Sequence, residues 1–128
     1  MLSPMINKEE LERNLSQFQG SEKYYCYDFF GMKFSMTEGI LYLAENACCY
    51  WFLDIICSYQ RDIEKKFPEE SEFQSWTIQK LKNGAWSIVG TDGDDFILKM
   101  QHVSFSDFPL EQYTVWLSQR VIMLKNEN

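Results

Sequence analysis

The fold prediction starts from one stretch of the chain, residues 76–89, which is WTIQKLKNGAWSIV. Apolar and polar residues alternate on both sides of its centre, and a period of two is typical of a strand with one buried face. The dipeptide Asn83-Gly84 suits the type I′ turn that joins two antiparallel strands. We therefore predict a β-hairpin that turns at Asn83-Gly84 and carries Trp76 and Trp86 on the sheet.

The residues after this hairpin predict further antiparallel strands. Thr91-Asp92-Gly93-Asp94 supplies turn residues ahead of a second alternating stretch, 96–103. Two more apolar stretches, 113–117 and 121–124, are separated by three polar residues and suit a hairpin or a helix–strand pair. A β half is expected over about residues 73–125.

The preceding part, about residues 7–66, is predicted to be helical. Asn7 with Glu10, and Ser35 with Glu38, have the spacing of capping boxes. The stripe after Glu38 predicts one long helix or two helices that break at Asn46. The aromatic stretch 24–34 suggests extended chain or an irregular strand pair, and the polar stretch 61–72 suggests a connecting loop.

Helices followed by strands, without alternation, predict the fold class. We expect an α+β fold with N-terminal helices packed on one face of a C-terminal antiparallel β-meander. A chain of 128 residues fits a single domain, 1–128, with enough core to need no disulfide or metal.

Composition and charge exclude several classes of protein. The formal net charge is −7 at pH 7, which disfavours direct binding to nucleic acid or to anionic membranes. No apolar run approaches the roughly 20 residues that span a bilayer, and the first residues lack a signal-peptide pattern. We therefore expect a cytoplasmic protein whose four cysteines are free thiols.

The metal-binding residue types do not have the spacing of known sites. Cys48 and Cys49 are adjacent, and the one histidine, His102, is far along the chain, whereas zinc sites use spaced Cys and His pairs. The acidic stretch 91–95 lacks the distant glutamate of a calcium loop. No metal and no cofactor are expected.

Four residues of the chain suggest one catalytic function. Cys48 or Cys49 at a helix start would be activated by the amide groups there. With His102 and Asp107 following, the chain order matches that of papain-like cysteine hydrolases. The competing interpretation is that both cysteines are small core residues.

Asp54 is an acidic residue within an apolar stretch, 52–56. A buried carboxylate without a partner is costly, so we predict that it is buried beside a cation or several hydrogen-bond donors. The partners considered are Ser58, Arg13, Lys23 and Arg61. Its role is either a structural bond to the loop at residues 20–22 or part of a site.

Several motifs together resemble a known family. They are Phe18-Gln19-Gly20-Ser21-Glu22 with Tyr24-Tyr25, Thr37-Glu38-Gly39, Tyr42-Leu43-Ala44-Glu45, Tyr50-Trp51-Phe52-Leu53-Asp54-Ile55-Ile56, Ser58-Tyr59-Gln60, Phe73-Gln74-Ser75-Trp76, Asp92-Gly93 and Ser106-Asp107-Phe108-Pro109-Leu110. In combination they resemble a family of short bacterial proteins of unknown function, found in plasmids, phages and bacterial genomes.

The resemblance implies no activity, substrate or cofactor. Its polar positions are the candidate binding residues: Ser21, Glu22, Asp54, Ser58, Gln60 and Asp107. We expect a small protein-interaction module, an accessory protein of a mobile element. Its acidic groups, at 69–72 and 92–95, are expected to face a basic protein partner.

Overall fold

The computed structural model describes residues 7–127, which form four α-helices and one seven-stranded sheet. The helices are α1 (Lys8–Leu15), α2 (Glu38–Asn46), α3 (Tyr50–Ser58) and α4 (Gln60–Lys66). The strands are β1 (Tyr24–Phe29), β2 (Met32–Thr37), β3 (Phe73–Lys80), β4 (Trp86–Thr91), β5 (Ile97–Val103), β6 (Gln112–Ser118) and β7 (Val121–Leu124). Short 3₁₀ turns cover Glu70–Glu72 and Lys125–Glu127.

The strand order in the sheet is β1-β2-β7-β6-β3-β4-β5. Neighbouring strands are antiparallel except β2 and β7, which run parallel with Ser35 opposite Val121. The predicted α+β class is confirmed. The sheet is larger than the predicted β half, because the hairpin β1–β2 of the helical half joins it through this parallel pair.

The helices pack on one face of the sheet and enclose the core. Trp76 lies at its centre, stacked on Tyr59 with ring centroids 6.2 Å apart. Gly90 lies directly opposite Trp76 on β4, where a Cβ atom would come within 2.6 Å of the indole. The rest of the buried core includes Leu43, Phe52, Leu53, Ile56, Ile78, Ile88, Val115, Leu117 and Ile122. Glycine at position 90 is therefore what lets the indole lie flat on the sheet.

The predicted hairpin is confirmed, with Trp76 on β3 and Trp86 on β4. Its turn differs from the predicted type I′. Gly84 has a φ of 88°, its N–H donates to Leu81 O at 3.0 Å, and Leu81 N–H donates to Ala85 O at 2.7 Å. Asn83 has no positive φ, so the connection is a longer loop with glycine in the left-handed position.

The helix starts were predicted correctly in one of two places. The Asn7 side chain accepts from Glu10 N–H at 2.8 Å and begins α1. Ser35 does not cap α2, because it lies inside β2 and its N–H pairs with the turn before β7. Thr37 is the capping residue, accepting from Ile40 N–H at 3.3 Å.

In three further segments the structure decides between the sequence predictions or corrects them. The stretch after Glu38 forms two helices separated after Asn46, which was one of the two alternatives. The aromatic stretch forms a regular hairpin, β1–β2. The predicted loop at 61–72 is wrong in its first part, because α4 forms there with Ile63 fully buried against the core.

Candidate functional site

The motif residues Ser21 and Glu22 lie beside the N-terminus of α2. The Ser21 hydroxyl accepts from Glu38 N–H at 3.1 Å and donates to Lys23 O at 2.5 Å. Glu22 N–H donates to the Glu38 carboxylate at 3.4 Å. The first amide groups of a helix have no partner within it, so this loop supplies one and acts as a cap.

The sequence prediction missed Glu127, which completes the same cap. Its buried carboxylate accepts from Thr37 Oγ1 at 2.5 Å, from Gly39 N–H at 3.0 Å and from Leu124 N–H at 3.0 Å. A Cβ atom at Gly39 would lie 2.6 Å from Glu127 Oε1. The cluster is closed and fully bonded, so it stabilises the fold and leaves no room for a ligand.

Asp54 is half-buried and has an unexpected partner. Its carboxylate accepts from the Tyr27 hydroxyl, which joins α3 to β1. The Tyr27 ring also stacks on Tyr50, with centroids 6.2 Å apart. Burial, followed by the bond to Asp54, raises the pKa of Tyr27 well above its usual value.

The predicted partners of Asp54 are therefore wrong. The ion pairs seen within residues 7–127 do not include Asp54, so Arg13, Lys23 and Arg61 do not neutralise it. Ser58 donates instead to Ile55 O at 2.7 Å, within its own helix. The carboxylate links a helix to a strand rather than to the loop at 20–22.

Gln60 belongs to a buried amide network. Gln60 and Gln74 exchange two hydrogen bonds of 2.8 Å, and Trp76 Nε1–H donates to Gln74 Oε1 at 2.9 Å. Ile56 O and Ser71 O accept the remaining amide protons at 3.1 Å. Every polar atom is used, so the network fixes α4 on β3 and presents nothing to a ligand.

The two candidate nucleophiles differ in exposure. Cys49 is buried next to Leu43 O, and burial, with smaller effects of Cys48 and Asp107, raises its pKa to about 12. Such a thiol is protonated at neutral pH and does not act as a nucleophile. Cys48 is exposed, with a φ of 52°. Asn46 bonds to Tyr42 O and does not cap α3.

His102 does not join these cysteines. It lies on β5 next to Val103, which lines a surface depression together with Trp51 of α3. Adjacent strand residues point to opposite faces, so the His102 side chain is on the face without helices. Apart from the adjacent Cys48, Asp107 is the residue of the hydrolase alternative that lies near Cys49.

A different surface stands out at the edge of the sheet. Large exposed apolar side chains lie on β5 and its flanking loops: Phe96 (43% exposed), Ile97 (49%), Met100 (51%) and Phe105 (78%). At the Phe105 end is a depression of about 270 Å³ lined by Trp51, Val103, Phe105, Ser106 and Asp107. We call these residues, with His102, the β5-edge surface. Asp107 is the candidate binding residue that belongs to it.

The backbone of β5 is also open on this side. Lys80 N–H points toward β6, bonding at 2.8 Å to the residue before that strand, and alternate residues of an antiparallel strand bond to opposite neighbours. Lys80 is paired with Trp86, and because the backbone groups of Lys80 point away from β4, those of Trp86 point away from β3 and toward β5. Trp86 is paired with Val103, so the backbone groups of Val103 point back toward β4. The N–H and C=O groups of Met100 and His102 therefore point out of the sheet.

One end of this edge is acidic. Glu69, Glu70 and Glu72 come together with Asp92 around a depression of about 320 Å³. Asp92 begins the β4–β5 turn, which continues through two further exposed aspartates, 94 and 95, directly before Phe96. The two acidic segments, separate in the sequence, thus form one negative region where β5 starts.

The described part of the chain shows neither a metal centre nor a membrane span. Between residues 7 and 127, no three His, Cys, Asp or Glu side chains are grouped to hold a metal ion. No helix in that range is long and apolar enough to cross a bilayer.

The apolar residues of the β5-edge surface were missed by the sequence prediction. Phe105 falls outside the predicted alternating stretch 96–103, and Phe96, its first apolar residue, precedes the strand. Alternation predicts a buried face, but it does not show that a strand lies at the end of the sheet.

Comparison with known proteins gives a family and no function. No curated protein and no solved structure shows significant similarity to the chain. Residues 9–128 match DUF6876, described as a family of unknown function. Because this match covers nearly the whole chain, the protein belongs to the DUF6876 family.

Proposed function

We propose that this protein is a binding module that adds an extended segment of a basic partner protein to the free edge of β5. The observation that carries the proposal is that one free edge strand has four large exposed apolar side chains along it or directly beside it. A row of exposed apolar groups along a strand edge, with an open depression at its end, favours an interaction surface.

Backbone pairing would supply a large share of the affinity. Met100 and His102 direct their N–H and C=O groups outward, and an added strand would bond to both. Its side chains on the helix-free face would contact Met100, and those on the helix-covered face would contact Phe105. The depression between Trp51 and Phe105 is the right place for one apolar anchor of the segment.

The register irregularity of this edge lies at its start, opposite Gly90 and Thr91, and the pairing of residues 99–103 with β4 is regular. Edge strands commonly carry outward lysines or prolines that block other chains. The single lysine of β5, Lys99, instead turns toward the helices, where it bonds to Asp62 at 3.0 Å and lies over Tyr59. The open edge is consistent with a binding role.

Charge defines the partner. Asp92 and the neighbouring carboxylates make the start of β5 negative, and the whole chain carries −7. A partner segment with Lys or Arg at the matching end would be steered to this edge, and the attraction would weaken over about 8 Å at physiological salt.

The experiment compares His102→Pro with His102→Ala. The probes are labelled peptides in which apolar residues alternate with Lys, or with Glu, and binding is followed by fluorescence anisotropy. We expect the Lys series to bind. Proline removes an outward N–H at a position where edge strands tolerate it, so His102→Pro should bind about tenfold more weakly, the value of one to two backbone hydrogen bonds. His102→Ala should bind like the original chain.

A second pair of variants tests the apolar contacts. Phe105→Ser should abolish binding of the Lys peptides, while Phe30→Ser, on the opposite side of the sheet, should not change it. Equal binding of the Lys and Glu series, or equal effects of His102→Pro and His102→Ala, would contradict strand addition to β5.

We also infer that the protein works in a reducing, cytoplasmic compartment, since Cys26 and Cys48 are exposed free thiols. Origin from a bacterial mobile element stays a prediction of the sequence resemblance. The cysteine-hydrolase alternative has no support in the geometry, because His102 and the cysteines face different sides of the sheet.

A further inference from the structure

The other edge strand, β1, has its own set of free backbone groups. The turn Phe30-Gly31 has two residues, both with positive φ, so the flanking pair Phe29–Met32 is hydrogen-bonded. Ser35 N–H points to the β7 side, which agrees with this pattern. The alternate residues of β1 therefore face outward: Tyr24, Cys26 and Asp28.

The charge at this edge differs from that at β5. Asp28 lies directly opposite Lys33 on β2, and Lys23 and Glu22 precede the strand. These four charges balance, which leaves the Asp54 carboxylate on Tyr27 as the additional charge, whereas β5 starts in a group of carboxylates. An acidic protein is therefore repelled less from the β1 edge than from the β5 edge. Of these two edges, β1 is the better match for a second copy of this chain, which itself carries −7.

One antiparallel register lets the outward backbone groups of β1 pair most completely with those of β1 in a second copy. In an antiparallel pair of β1 strands, residues that lie opposite each other have their side chains on the same face of the sheet. The helices of both copies therefore lie on one face only if even-numbered residues are opposite even-numbered residues. An axis at Cys26 pairs all three outward residues of each copy. An axis at Tyr25 or Tyr27 pairs two of them, and an axis at Tyr24 or Asp28 pairs just one.

We propose that a second copy of this chain pairs with β1 about a two-fold axis at Cys26, which extends the sheet across both copies. Tyr24, 58% exposed, then lies opposite Asp28 of the second copy and is covered. On the helix-covered face Tyr25 meets Tyr27 of the second copy, next to the Tyr27–Tyr50 stack. The contact thus joins both the backbone and the aromatic side chains of the edge.

The first test measures the mass in solution. Sedimentation equilibrium should give twice the 15.3 kDa of one chain. Cys26→Lys places two like charges about 5.5 Å apart at the axis and should reduce the mass to that of one chain. Met100→Lys makes the same kind of change on β5 and should leave the dimer intact. Circular dichroism and thermal melting confirm that each variant is folded.

The second test fixes the register by cross-linking in a Cys48→Ser background. In the proposed dimer the two Cys26 Cα atoms are about 5.5 Å apart, within disulfide range, so oxidation with copper phenanthroline should give a covalent dimer. Tyr24→Cys with Cys26→Ser should not link to itself. Mixed with Asp28→Cys in the same Cys26→Ser background, it should link to that variant.

A mass of one chain throughout the micromolar to millimolar range would overturn the proposal. So would a Cys26→Lys variant that stays dimeric, or Tyr24→Cys chains that cross-link to each other. None of these outcomes affects peptide binding at β5, so the two proposals fail separately.

Discussion

Replacing Glu127 by alanine should destabilise the fold strongly. The carboxylate satisfies Gly39 N–H and Leu124 N–H, both buried, as well as the Thr37 hydroxyl. The hydroxyl can turn to another acceptor, but each orphaned N–H group costs about 1 to 3 kcal/mol. Loss of a negative charge beside a helix N-terminus adds a smaller amount. We expect Glu127→Ala to lower the free energy of unfolding by about 3 to 5 kcal/mol.

Urea denaturation followed by tryptophan fluorescence measures this change. Glu127→Gln keeps one carbonyl oxygen but turns an amide group toward Gly39 N–H, so it should lose about half as much. Glu111→Ala is the matched control, because Glu111 is exposed. Its effect should stay within about 0.5 kcal/mol. If Glu127→Ala is no more destabilising than Glu111→Ala, the cap does not hold α2 to the end of the chain.

Three other predictions concern groups inside the fold. Asp54→Asn and Tyr27→Phe should each lower the free energy of unfolding by about 1 to 3 kcal/mol. In a double-mutant cycle measured in urea, the combined variant should lose less than the sum of the two single losses. Strict additivity would mean that the two side chains do not interact. Because burial raises the pKa of Cys49 and Cys57 from 9.0 to about 12, the unfolded thiols ionise first as pH rises. The free energy of unfolding should therefore be highest below about pH 9 and fall toward pH 12. Urea titrations across this range measure it, and a free energy of unfolding that does not change with pH would refute the prediction. Gly90→Ala should lower the melting temperature by the equivalent of about 1 to 3 kcal/mol through overpacking against the indole, and calorimetry showing no change would contradict the close contact.

Local chemistry predicted the parts of the fold that depend on neighbouring residues. Asn7 was recognised as a cap because its partner is three residues away, and the hairpin at Gly84 because turn residues interrupt a strand pattern. The α4 helix was missed because most of its residues are polar, and it is held by tertiary contacts of Gln60 and Ile63.

Long-range pairing is what the sequence did not show. The sequence marks Asp54 as needing a partner, but Tyr27 lies 27 positions earlier, in a stretch that suggests only extended chain or an irregular strand pair. The exposed apolar residues of the β5-edge surface were not predicted for a similar reason. Phe105 becomes an exposed edge residue only because β5 ends the sheet, and strand order is a property of the whole chain.

The parallel pairing of β2 with β7 has a consequence for synthesis of the protein. Thr37 and Glu127 are 90 positions apart, and closing a loop of that length costs about 4 kcal/mol in chain entropy. Synthesis makes the first hairpin and α2 before their neighbouring strand β7 and before Glu127, which lies 90 positions after Thr37. Until residues 121–127 have been made, β2 lacks its parallel neighbour and the N-terminus of α2 lacks the Glu127 carboxylate. During that interval the nascent chain depends on chaperones more than a fold with local contacts would.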